Sequence, residues 1–329
     1  MHIGRRFARF VALTLVVFPL TACQYLDQVS AMRTFKEGNI AYGRGDYEGA
    51  IEHYEEILAI LEDVGEGDQL LNEQLNATYF YVANSYDNLY KPVRKGEPEN
   101  DGYLEDAVKY YRLASERISD PSLQRLSMQY LVSVYGPDKA NDPASSEPVL
   151  RQMILNDPEN PDNYYALANL YEQSGLFEDA EAVMLEVKNL RTEDPDVYLR
   201  LAGFYNRSGE FEMTIDSLEE RARIEPDNPE AFYTISTFYW EKAFRDFRIT
   251  QDQKAEYIES GLDAADTAIG LNDRYVDALV YKNILLRMKA NMTTDLDEQK
   301  RLIAEADELR SKAEELQESA QTGGATPEA

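Results

Sequence analysis

Apolar positions recur along this chain at helical spacing, and the helical segments themselves repeat. Leu167, Leu201 and Ile235 stand 34 residues apart, as do Tyr171, Tyr205 and Tyr239, while Ala168, Ala202 and Ser236 keep a small side chain at the next place. Pro161, Pro195 and Pro229 share the same step, and so do Gly175 with Gly209 and Phe177 with Phe211. Prolines at those places open helices, because a missing N–H and a fixed φ suit the first helical turn; Pro158 and Pro226 end the helices before them. The columns predict two antiparallel helices per period. Small residues (Gly38, Ala83, Ala168 and Ala202, then Ala50, Ala107 and Ala180) let the helices approach, and aromatics at helical spacing (Tyr47 with Tyr54) fill the gap between pairs.

A 34-residue period carried by several columns resembles the tetratricopeptide repeat. The stretch KEGNIAYGRGDYEGAIEHYEEIL, Lys36 to Leu58, matches that family closely, with Gly45-Asp46-Tyr47 at the turn. The resemblance implies an all-α fold, a right-handed tetratricopeptide-repeat superhelix (an α-solenoid) of about seven helix pairs whose first helices line a groove. The pairs fall near 31–64, 70–118, 122–156, 161–192, 195–225, 229–271 and 274–319. A polar insertion from Lys91 to Gly102 is expected between the helices of pair two, and pair three is degenerate from Gly136 to Pro148. Pairs six and seven are lengthened, with turns near Ile249–Asp252 and Asn291–Asp295. The last helix, Asp297 to Gln317, is charged on most faces, as an end cap must be, and residues 320–329 are expected to be a disordered tail.

The N-terminus has a different pattern. Arg5, Arg6 and Arg9 precede a short apolar run from Phe10 to Leu20, followed by Thr21-Ala22-Cys23. Basic, then apolar, then small residues is the order of a bacterial secretory leader. Leu20-Thr21-Ala22-Cys23 resembles a lipobox, which implies a cleaved signal peptide over 1–22, acylation of Cys23 and a lipid-anchored linker over 23–30, with the repeat body at 31–319. A membrane-spanning helix fits less well, since the run is about half the ~20 residues needed and contains Pro19. Gln24 follows the cysteine, and the resemblance then implies export to the bacterial outer membrane, periplasmic face, with the bilayer engaged through Cys23.

Composition narrows the chemistry. Lys and Arg total 33 against 61 Asp and Glu, a net charge of −28, and loss of the leader's arginines makes the body more acidic still. Such a body repels phosphate backbones, so no nucleic-acid partner is expected. One Cys and two His (His2, His53) provide too few ligands for a Cys/His zinc site and no intrachain disulfide, so neither a metal nor a cofactor is expected. Phosphate-binding loops, dinucleotide fingerprints and nucleophile elbows are absent. His53 occupies a plain position on a second helix. Hydrolysis by a pair of carboxylates would need two particular acids, and no pattern nominates them. A non-enzymatic protein is expected.

First helices of the resembled family present ligand-contacting residues inward, and the matching positions can be named. They are Phe35, Asn39 and Tyr42; Phe80, Asn84 and Asp87; Tyr165, Asn169 and Glu172; Leu199, Asn206 and Arg207; and Tyr233, Thr237, Trp240 and Glu241. Tyr and Trp offer large amphipathic contact area and Asn can pair with a peptide group, yet the same types are ordinary constituents of such helices. Some relatives clamp a C-terminal carboxylate with two Asn and cations. Here Asn39 and Asn84 match, but Phe35, Gln129 and Ser133 stand at the cationic places, so that clamp is missing. In Phe238–Arg248 (FYWEKAFRDFR), Trp240, Phe244 and Phe247 follow helical spacing with Arg245 and Arg248 beside them. This overlong helix either projects toward a partner through Phe244, Phe247 and Arg248 or packs on the stripe Ile258, Leu262 and Ala265, the pattern leaning to packing. The expectation is a scaffold or adaptor with envelope protein or peptide partners. A periplasmic holdase is the alternative and a carboxylate hydrolase the lesser one.

Overall fold

The computed structural model describes residues 29–64, 73 and 75–322. The leader, Cys23 and the end of the tail lie outside the described residues. The described residues form fourteen α-helices and no strand, an all-α fold in which the helices follow one another in sequence as successive helix–turn–helix segments. The chain divides into two compact units, one through Leu176 and one from Phe177.

The first unit contains α1 (29–43), α2 (Tyr47–Val64), α3 (Ala77–Leu89), α4 (Pro98–Arg117), α5 (Pro121–Val134), α6 (Pro143–Asn156) and α7 (Pro161–Gln173). Its core holds Tyr54, Ile57, Ala83, Ala107, Tyr111 and Leu131. The small columns do the work expected of them: Ala50, Ala83 and Ala107 have no exposed surface, and a Cβ added at Gly38 would lie 2.7 Å from the Tyr54 ring. Gly45, at φ 77°, makes the left-handed turn between α1 and α2.

One expectation is corrected here. The polar insertion does not extend to Gly102, because α4 already starts at Pro98, with Glu99 and Asp101 favouring its first turn. Asn100, buried on α4, closes the shorter loop by accepting from the Lys91 N–H at 2.8 Å and donating to the Lys91 carbonyl at 3.2 Å. In the degenerate stretch of pair three, Asp142 caps α6 by accepting from the Ser145 N–H at 3.1 Å, and Pro148 lies inside that helix. The two irregular segments also meet, since the Lys95 ammonium donates to the Lys139 carbonyl at 2.7 Å.

The second unit contains α8 (Phe177–Leu190), α9 (Pro195–Ser208), α10 (Phe211–Ile224), α11 (Pro229–Arg245), α12 (Gln251–Leu271), α13 (Val276–Met292) and α14 (Leu296–Thr322). Ala202, Leu218, Ala231 and Ile235 form one core cluster, and Ala243, Ile258, Leu262, Leu285 and Leu302 form the next. Thr250 caps α12 with a reciprocal capping box to Gln253. Helix α14 continues to Thr322, so residues 320–322, expected in the tail, are helical. No helix among the described residues is long and apolar enough to cross a membrane.

Candidate functional site

The groove positions of α1 and α3 are brought together, but largely as interior. The Tyr42 hydroxyl donates to Asn84 Oδ1 at 2.7 Å, Asn84 Nδ2 donates to the Tyr111 hydroxyl at 2.9 Å, and the Tyr54 hydroxyl donates to Asn39 Oδ1 at 2.8 Å. Phe35 rests on Tyr54 and Tyr81, and Phe80 on Tyr111 and Tyr130, at centroid separations of 5.7 to 6.2 Å. Buried tyrosines must place their hydroxyls, and an amide with both donor and acceptor can satisfy two of them. Asn84 is only 4% exposed and Phe80 is buried, so neither lies on an open face; Asp87 is held in an ion pair with Lys139. Burial pushes the Tyr54 and Tyr111 hydroxyls well above the usual tyrosine range.

Further along the first unit, α5, α6 and α7 enclose a cleft of about 300 Å³. Val132, Leu150 and Leu170 supply apolar walls, Asn141, Asn169 and Gln173 supply amides, and no charged side chain lines it. Asn141 holds the turn before α6 in the left-handed region at φ 55°, which an Asn tolerates. Of the α7 positions named above, only Asn169 faces this cleft; Tyr165 and Glu172 are half-buried elsewhere on the helix.

In the second unit, a cleft of about 380 Å³ lies where the turn into α10 meets the end of α11. Asn206, Phe211, Phe238, Lys242, Arg245 and Phe247 are among its walls. Leu199 is half-buried on α9, Arg207 is exposed, and Thr237 turns its hydroxyl to the Thr234 carbonyl at 2.7 Å. Tyr233 packs edge-on against Tyr275 and Tyr281, with burial pushing its hydroxyl up to about 12. Trp240 stacks on Phe244 at 5.5 Å and meets Tyr281 edge-on at 5.2 Å, its indole N–H enclosed without a hydrogen-bond partner.

The aromatic stretch divides between its two expected roles. Ala243 packs with Ile258 and Leu262 of α12 in a shared core, whereas Phe244 is 63% and Phe247 95% exposed. The expected helical face does not reach Phe247, because α11 ends at Arg245. Asp246 turns the chain there: its carboxylate accepts from the Arg248 N–H at 3.0 Å, from the Arg248 guanidinium at 2.9 Å and from the Lys242 ammonium at 3.1 Å. The Arg248 and Lys242 contacts hold that carboxyl well below the usual carboxylate range. Phe247 and Arg248 therefore stand on a braced turn. Phe211 and Lys242, which complete the cleft, were not singled out as site residues from sequence. Their signal is a cation–π contact, Lys242 standing 4.9 Å from the Phe211 ring centroid, between residues far apart in the chain.

Among the described residues no group of three or more His, Cys, Asp or Glu is arranged to hold a metal ion. The described residues thus form repeated helix pairs, with one cleft in each unit walled by helices and turns. A tetratricopeptide-repeat family model matches residues 139–198, covering α6, α7 and α8. Over those residues the chain is similar to the tetratricopeptide repeat. No curated protein matches it in sequence. Among solved structures it is similar to the C-terminal part of a repeat-containing protein of Cytophaga hutchinsonii, with 16% identity and a TM-score of 0.46 over 86% of this chain and 98% of that one. It is also similar to MamA of Desulfovibrio magneticus RS-1, with 18% identity and a TM-score of 0.38 over 64% and 96% of the two chains. YrrB, described as a TPR protein with an unusual peptide-binding site, shows 16% identity and a TM-score of 0.35 over 68% and 95%.

Proposed function

We propose that this protein is a non-enzymatic scaffold or adaptor, held by acylated Cys23 at the periplasmic face of a bacterial outer membrane, where it supports an envelope assembly through protein contacts. The observation that carries the binding role is the solvent-facing ring of Phe247 at the wall of a cleft of ligand size, with Phe244 open at the same helix end. Rings left this open beside a formed cavity are what an interface anchor requires. The leader pattern ending at Cys23 supports the location.

A second reading, a holdase for exported chains, is favoured by the uncharged cleft of α5 to α7. Amides over an apolar floor can grip peptide backbone without selecting charge. In-cell crosslinking separates the two, with a photo-crosslinking residue placed at Phe247 or at Asn169 and the captured proteins identified by mass spectrometry. One or two stoichiometric envelope proteins captured from Phe247 are expected. A diffuse set of unrelated exported proteins, captured mainly from Asn169, would replace the adaptor with the holdase.

A further inference from the structure

The cleft at the end of α11 departs from the electrostatics of the rest of the chain. Overall, 33 basic residues face 61 acidic ones, but in the lining of this cleft Lys242, Arg245 and Arg248 outnumber Glu241 and Asp246. Asp246 is fully engaged, bound by Lys242 and Arg248. The arginines are not exhausted by these contacts. Arg245 gives one N–H to Glu241 at 2.8 Å and Arg248 gives two side-chain N–H groups to Asp246, of the five that each guanidinium carries. Their side chains are 67% and 78% exposed, and both line the cleft with Phe247, which lies between them in the chain.

We propose that this cleft binds an acidic segment of a partner protein, with carboxylates on Arg245 and Arg248 and an apolar side chain seated against Phe211 and Phe247. The proposal rests on the adaptor reading and assigns the chemistry of its partner. Guanidinium forks match carboxylates in geometry, and the fixed turn at Asp246 presents Arg248 and Phe247 together.

Binding is read directly, from the fluorescence anisotropy of a dye carried by the peptide. The full chain carrying Cys23→Ser is titrated with a short Asp/Glu-rich peptide containing one central Leu, and with the same peptide in which every acid is its amide. The acidic peptide is expected to bind about tenfold more tightly at low salt, an advantage that shrinks as salt is raised. Arg245→Gln with Arg248→Gln removes that advantage, Arg→Lys at both positions keeps the charge without the fork and retains only part of it, and Phe247→Ser weakens both peptides. Unchanged melting by circular dichroism shows that these exposed variants fold. Equal affinity of the two peptides, or indifference to the double Gln variant, would each overturn the proposal. So would a self-associated chain dispersed by Phe247→Ser, which gives the face to a second copy. Captured partners at Phe247 that lack an acidic segment overturn the acidic chemistry alone, whereas no partner at either cleft overturns the adaptor.

Discussion

At the scale of single residues, the repeat is built from a few contacts copied at the same offset. Asn160, Asp194 and Asn228 each stand before a helix-opening proline and accept the N–H two residues on, at 3.1, 3.1 and 3.0 Å. Tyr171 reaches Glu147 and Tyr205 reaches Glu181, both at 2.8 Å, and the third copy lapses because Ile215 stands where the next glutamate would be. Each cap satisfies a helix N–H that has no partner within the helix. Asp194→Ala is therefore expected to destabilise α9 and its unit by about 1 kcal/mol, while Asp194→Asn stays within a few tenths of it. Urea unfolding of the two variants against the parent decides this; equal midpoints for the alanine and asparagine forms would mean the cap contributes nothing.

Between elements, the tyrosine and asparagine contacts joining α1, α3 and α4 set a pH limit. Tyr111 and Tyr54 are fully buried, and burial raises both hydroxyl pKa values above the ordinary value near 10. A raised folded-state pKa gives stability that is complete below pH about 10 and lost as pH climbs toward the folded values, at about 1.4 kcal/mol per pH unit for each such tyrosine. Thermal unfolding followed from pH about 8 upward should fall steeply beyond about 10. Tyr111→Phe should cost about 1 kcal/mol at neutral pH, by leaving the Asn84 amide short of a partner, yet flatten the alkaline decline; an unchanged slope would exclude Tyr111 as a source. This network also marks where sequence stops being legible. Small columns such as Ala202 and openers such as Pro195 obey a local rule, so periodicity reveals them. The fates of Asn84 and Asp87 depend on Tyr111 and Lys139, which lie 27 and 52 residues further along the chain and belong to no column. Phe247 keeps helical spacing to Trp240 and Phe244, and only the competing hydrogen bonds at Asp246 take it off the helix.

For the molecule as a whole, no single core dominates: the second unit alone holds separate clusters around Leu218 and Leu285, so its surfaces can vary without disturbing every contact. What such a surface can capture depends on where it is held. The proposed anchor lies outside the described residues, and its physics is additive: each buried methylene contributes ~0.8 kcal/mol, so one acyl chain binds marginally and several bind durably. Confinement to a membrane face raises the effective concentration of the α11 cleft toward partners embedded there without any added contact. Cys23→Ser should therefore move the protein from the membrane pellet to the soluble periplasmic fraction and abolish incorporation of labelled palmitate. Capture of an envelope partner from Phe247 should fall with it, although the isolated variant keeps its peptide affinity, because the cleft is built by residues 206–248 alone. A Cys23→Ser protein that stays in the pellet with its partner still crosslinked would place the attachment in the protein contact itself. The lipid would then be dispensable to the adaptor.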